Sequence, residues 1–288
     1  MIYLLICILS SSLIMVIFKI AGRLNLDNFN LILINYLAAA ILGFLIGGIP
    51  GKDVFTSSWL PMAVIIGILF ISLFFVIAAS TQKAGIAVTS VASKMSVIIP
   101  ILFSVIYFKE EVTSLKLAGF ILAMVSVFLT IYQQGKNKQK KYRASIIMIP
   151  LVLFIGAGVI DSLIKFTQSA IIYKQNPIVF SSILFSISAV CGILFALVRG
   201  NQWHHFRNRK LIFYGIFLGI VNFGSLYGII KALNSEVFDS SVVFGINNVG
   251  VVLLSVLLAT IFYKEKLTVT KKIGIALSII TIVVLSVI

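Results

Sequence analysis

Two charged residues sit where charge is costly. Lys94 and Asp161 lie inside the long apolar runs 85–107 and 145–168, and an ionised side chain at the centre of a membrane helix costs about 3 kcal/mol to insert. Lys94 is nine residues into its run, about 13 Å from the nearer end at 1.5 Å per residue. Reaching the headgroups from that depth is difficult. An ammonium held there can meet a carboxylate or phosphate on a small solute, or exchange its proton as its surroundings alternate. It can equally be held by backbone carbonyls, by Ser90 one turn away, or by Asp161. Ser90 and Ser93, with Thr89 and Ser96, make the same run unusually polar, and Pro100 leaves a carbonyl free nearby. Asp161 suits a proton- or ion-coupling role, because desolvation raises a carboxyl into a useful titration range; its alternative is a pair with Lys94.

Amides supply the other polar groups. Asn247 and Asn248 are adjacent in the run 238–262, and neighbours on a helix differ by about 100° in direction, so one is expected to face a cavity and the other a neighbouring helix. Asn35, Tyr36 and Asn222 are further candidates for touching a solute or for tying helices together, whereas Ser10, Ser11 and Ser12 are expected to bond back to their own carbonyls. The spans contain no histidine, Cys7 and Cys191 have no metal-ligand spacing, and no glycine-lysine phosphate loop is present. Neither a metal nor a cofactor is expected, an intramembrane enzyme is disfavoured, and the chain is not expected to use ATP. In the loop 199–210, Trp203 and Phe206 among bases fit headgroup depth better than nucleic acid.

The elements that position these residues follow from composition. With 60% hydrophobic and 11% charged residues and a mean hydropathy of +1.16, the chain is far from a soluble domain. Runs near the roughly 20 residues needed to cross a bilayer core occupy 2–20, 29–49, 59–80, 85–107, 114–133, 145–168, 178–198, 211–232, 238–262 and 268–287. Lipid offers the backbone no hydrogen-bond partner, so each is expected to be a helix. The expected fold is an all-α polytopic membrane protein of ten transmembrane helices. The first run lacks a basic leader and a small-residue cleavage site, which suits a retained span.

The basic stretch 136–143 divides the chain into repeats at 1–135 and 144–288. Five crossings in the first half reverse the second, so two similar halves become an inverted-topology pair. Basic residues gather at Lys19, Arg23, Lys83, 136–143, 207–210 and 264–272, which marks those loops as cytoplasmic and both termini as non-cytoplasmic. The formal net charge of +15 therefore reports topology in a bilayer.

Similarity between the halves is visible in the residues. Phe108-Lys109-Glu110, Thr113, Lys116 and Gly119 return 155 positions later as Tyr263-Lys264-Glu265, Thr268, Lys271 and Gly274. Glu110 and Glu265 are expected to bond backbone or basic neighbours at helix ends. An aromatic-basic-glutamate turn followed by threonine, before the last helix of each half, resembles the ten-helix EamA-like members of the drug/metabolite transporter superfamily. The resemblance implies a secondary transporter of a small metabolite or drug-like solute, alternating access around a midplane cavity, in a bacterial plasma membrane. Lys94 favours an anionic or zwitterionic cargo, with coupling to protons or a counter-substrate. A channel or lipid-moving protein is the alternative. The resemblance further implies that helices five and ten are structural, and Pro100 has only Ser255 at the repeat-related position, which argues against a symmetrical kink.

Overall fold

The computed structural model describes residues 2–48, 51, 57–107, 114–131, 140–170, 177–199, 208–233 and 240–286. Every regular element among them is helical: α1 (Ile2–Arg23), α2 (Asn28–Gly47), α3 (Leu60–Lys83), α4 (Ile86–Met95), α5 (Ile98–Tyr107), α6 (Ser114–Ile131), α7 (Lys140–Ala170), α8 (Pro177–Arg199), α9 (Arg209–Leu233), α10 (Ser240–Ile261) and α11 (Val269–Ser286). Among the described residues seven apolar stretches are long enough to cross a membrane, in α1, α2, α3, α4 with α5, α7, α8 and α9. The chain is a multi-pass membrane protein. Among the described residues the apolar parts of α6 and α10 run over Leu117–Thr130 and Ile246–Ile261, and α11 carries Lys271 and Lys272 in its first turn.

Sequence chemistry sets several boundaries. Asp27 caps α2, its carboxylate accepting from the Asn30 N–H at 3.0 Å. The fourth apolar run is not one helix but two. Pro100 has no N–H to give the Ser96 carbonyl, which accepts instead from Ile99 at 2.9 Å in a tighter turn, so the chain breaks at Ser96–Val97. The corresponding run around Ser255 has no proline, and α10 continues through it. A correction concerns the linker 136–143: its last four residues, 140–143, form the first turn of α7, because Lys and Arg are good helix formers wherever water can solvate them. Residues 136–139 lie outside the described residues.

Packing joins the two halves closely. With α4 and α5 taken as one helix, the main partners are α1 with α9, α2 with α9, α1 with α10, α3 with α7, α3 with α8, and α7 with α4 and α5. Exchanging the first five helices for the last five converts the first three of these pairs into the last three. The same exchange leaves α2 with α8, α4 with α10 and α6 with α11 unchanged. Each of these contacts is made between halves, so neither half is a bundle packed on its own.

Between helices in lipid no hydrophobic force acts, and close approach at small residues does the work. α9 presents Gly215 and Gly219 to Ile34, Asn35 and Ala38 of α2, then Gly224 and Gly228 to Tyr3, Cys7 and Ser10 of α1. A Cβ on Gly219 would stand 2.6 Å from the Asn35 carbonyl oxygen, whereas one on Gly156 would meet only the Leu73 Cδ1, at 2.8 Å. Backbone cannot yield as a leucine tip can. In detergent, Gly219→Ala is expected to lower thermal stability by about 1–3 kcal/mol and Gly156→Ala to stay near neutral; equal losses would contradict this account of the α2–α9 contact.

Candidate functional site

Asp161 is the most informative side chain of α7. The exposed apolar residues Met148, Leu151, Val152, Ile155 and Val159 form one stripe, which faces lipid. At 100° per residue, Asp161 lies about 140° from the centre of that stripe, between the buried Ile160 and Ser162. It is nevertheless exposed. Asp161 is thus exposed on the side of α7 opposite the lipid-facing stripe, and Lys94 acts on it electrostatically.

Lys94 stands on the last turn of α4, just before the break made by Pro100. The preceding turns are buried almost all round, and only Ser93 and Lys94 are half-buried. Among the described residues Lys94 makes no hydrogen bond and no ion pair within 4 Å; its electrostatic neighbours are Asp161 on α7 and Cys7 on α1. The serines of α4 serve the helix itself: Ser90 donates to the Ala87 carbonyl at 2.9 Å, Ser93 to Ser90 at 3.2 Å and Ser96 to Ser93 at 2.6 Å. Ser90 is wholly buried.

On α10 the outward stripe is Ile246, Leu253, Leu257 and Ile261. Asn248 lies about 180° from it and Asn247 about 90°. Both are buried, neither makes a side-chain hydrogen bond among the described residues, and the Asn247 Oδ1 has no partner. Ser93 and Asn248 are related by the 155-residue offset. Asn35 and Asn222 meet each other instead: the Asn222 Nδ2 donates to the Asn35 Oδ1 at 3.2 Å, and with the Asn35 amide turned over its Nδ2 donates to the Leu218 carbonyl, also at 3.2 Å. Either orientation ties α2 to α9. Tyr36 is fully buried beside Phe74 and Phe185, at ring distances of 5.2 and 6.1 Å, and its hydroxyl has no partner.

Ser11 corrects an expectation from sequence. Its hydroxyl does not bond to a carbonyl of α1 but meets the Ser225 hydroxyl of α9 at 2.7 Å and the Cys7 Sγ of its own helix at 4.0 Å. Ser11 and Ser225 are 214 positions apart, and no spacing in the sequence signals which helices become neighbours. The motif glutamate Glu265 sits elsewhere, at one end of the molecule. Its Oε1 accepts from the Ile86 N–H that opens α4, at 3.0 Å, and pairs with Lys19 at 3.2 Å. Gly85 makes room for it, since a Cβ there would lie 2.8 Å from Oε2. Arg23 stacks over Tyr263 at 4.4 Å in the same region. Glu110 lies outside the described residues.

Comparison with known proteins adds three findings. Residues 1–132 match the model of the EamA-like transporter family. An uncharacterized protein of Haemophilus influenzae is 26% identical over 278 residues, covering 94% of this chain and 93% of that one. A solved crystal structure superposes with a TM-score of 0.62 at 15% identity, over 98% of this chain and 94% of its own, a likeness of fold.

If Asp161 lines water and Val159 lines lipid, their cysteine replacements should differ in reactivity. With Cys7 and Cys191 first replaced by alanine, Asp161→Cys is expected to react with a membrane-impermeant thiol reagent and Val159→Cys to remain unlabelled. Labelling of Val159→Cys alone would place Asp161 on the wrong face.

Proposed function

We propose, because residues 1–132 match the model of the EamA-like transporter family, that the protein is a secondary transporter of the drug/metabolite transporter superfamily, moving a small anionic or zwitterionic solute by alternating access. The observation that carries this reading is the pairing of an unneutralised Lys94 with an exposed, inward-directed Asp161. Leaving two ionisable groups uncombined inside a membrane protein is costly. A cavity that takes up and releases a charged solute requires that they stay so.

The packing supports an inverted repeat of ten helices. Exchange of the halves converts the group α1, α2, α9 and α10 into α7, α8, α3 and α4 with α5. Each group draws on both halves of the sequence, and the site lies between them. Lys94, Ser93 and Asp161 come from one; Cys7, Ser11, Ser225, Asn247 and Asn248 come from the other. Rocking one group against the other opens the site first to one side and then to the other. α6 and α11 pack on each other, with Gly274 against the Thr130 backbone N at 2.8 Å, and serve as a support outside the moving parts.

In this mechanism the Lys94 ammonium contacts the negative group of the cargo, while Asn248 and Ser93 contribute polar contacts from opposite sides. Asp161 is the coupling group, binding a proton or the positive group of a counter-substrate when the cargo has left. Lys19, Arg23, Lys83 and Lys266 lie at the end of the molecule that holds Glu265, which supports a cytoplasmic assignment for that end and non-cytoplasmic termini. The membrane is a bacterial plasma membrane in this reading.

Transport in proteoliposomes tests it. A hydrogen bond to a charged group contributes about 1.5–3 kcal/mol, so Lys94→Met is expected to reduce initial uptake of carboxylate or phosphate solutes at least about tenfold, since about 1.4 kcal/mol corresponds to a factor of ten. Lys94→Arg should retain part of the rate, and Asp161→Asn should abolish the response to an imposed pH gradient. Undiminished uptake by Lys94→Met, at equal protein in the membrane, would remove Lys94 from the mechanism.

A further inference from the structure

A second charged region lies away from the Lys94 site. The end of α1, the end of α3, the start of α4, the segment after α10 and the first turn of α11 flank an open recess of about 180 Å³ lined by Lys19, Lys83, Lys266, Lys271 and, among the described residues, a single carboxylate, Glu265. Four lysines less one glutamate leave a charge of +3 on its wall. Glu265 is already committed. Its Oε1 is shared between Lys19 and the Ile86 N–H, and Lys19 is further held by the Thr81 carbonyl at 3.3 Å. Lys83 and Lys266 are exposed and have no hydrogen-bond or ion-pair partner among the described residues.

Lys83 and Lys266, which have no counter-charge among the described residues, add like charge to one recess, and the repulsion is relieved when an anion is held between them. Several facts narrow its chemistry. The recess is several times a water's share of liquid volume, about 30 Å³, so it admits a tetrahedral oxyanion. Lysines act as mobile point charges and suit a phosphate with oxygens in several directions. Each wall element is the end of a membrane helix, and headgroups lie at that depth.

We infer that this recess is a binding site for a phosphate-bearing anion, either the headgroup of an acidic phospholipid or free phosphate. The recess is lined at α4 by Ala87 and Val88 and does not include Lys94, and the inference does not depend on what the cargo is. It bridges α1, α3 and α4 to the segment that precedes α11, so an occupied site braces the end of the molecule where Glu265 already joins the two halves.

Thermal unfolding of the full chain tests the inference and separates the two sources. One arm compares nanodiscs of phosphatidylcholine alone with nanodiscs containing phosphatidylglycerol; the other adds inorganic phosphate against sodium chloride at matched ionic strength. A ligand bound only by the folded form raises the midpoint. A rise of several degrees is expected in at least one arm, cut by at least half in the double variant Lys83→Gln with Lys266→Gln and retained by Lys83→Arg with Lys266→Arg. A rise confined to phosphatidylglycerol assigns the lipid and one confined to phosphate assigns the free anion. No rise in either arm, or a rise that the double glutamine variant keeps in full, overturns the site.

Discussion

Lipid offers no hydrogen bonds, and the organisation of this chain follows from that constraint. Backbone groups are satisfied by helices. Side chains that still need a partner must find one inside the protein or open onto water. Asn35 and Asn222 satisfy each other, Ser11 finds Ser225, and the serines of α4 return to their own carbonyls. Lys94 and Asp161 have no hydrogen-bond or ion-pair partner among the described residues, although they interact at a distance. Polar groups that the fold leaves uncombined are those available to a solute.

The second determinant is close approach at glycine. α9 touches α2 through one glycine pair and α1 through another, and this brings helices from opposite ends of the sequence into one unit. Units that draw helices from both ends of the sequence keep the chain from separating into two bundles. Asymmetry enters at one residue. Pro100 breaks the fourth run beside Lys94, while α10 continues past Ser255, so one side of the site has a bent wall carrying charge and the other a straight wall carrying amides.

Much of this arrangement was legible in the sequence, for identifiable reasons. The bonds of Glu265 to a helix start and to a basic neighbour follow from a motif between two runs. Other features depend on neighbours that no periodicity reveals. Asn35 was a candidate for solute contact until its position against Asn222 was known. Ser11 turned from its own helix to α9, and Asp161 could not be assigned to an inner face until the outward stripe of α7 was placed. The boundary at 140–143 was missed because charged residues read as linker, although the same residues extend a helix once it leaves the hydrocarbon.

Access to Lys94 from both sides of the membrane is the most direct test of alternating access. In a chain lacking Cys7 and Cys191, Lys94→Cys can be treated with a membrane-impermeant thiol reagent in right-side-out and in inverted vesicles. The account predicts labelling from both faces. Labelling from one face only, or from neither, would contradict it.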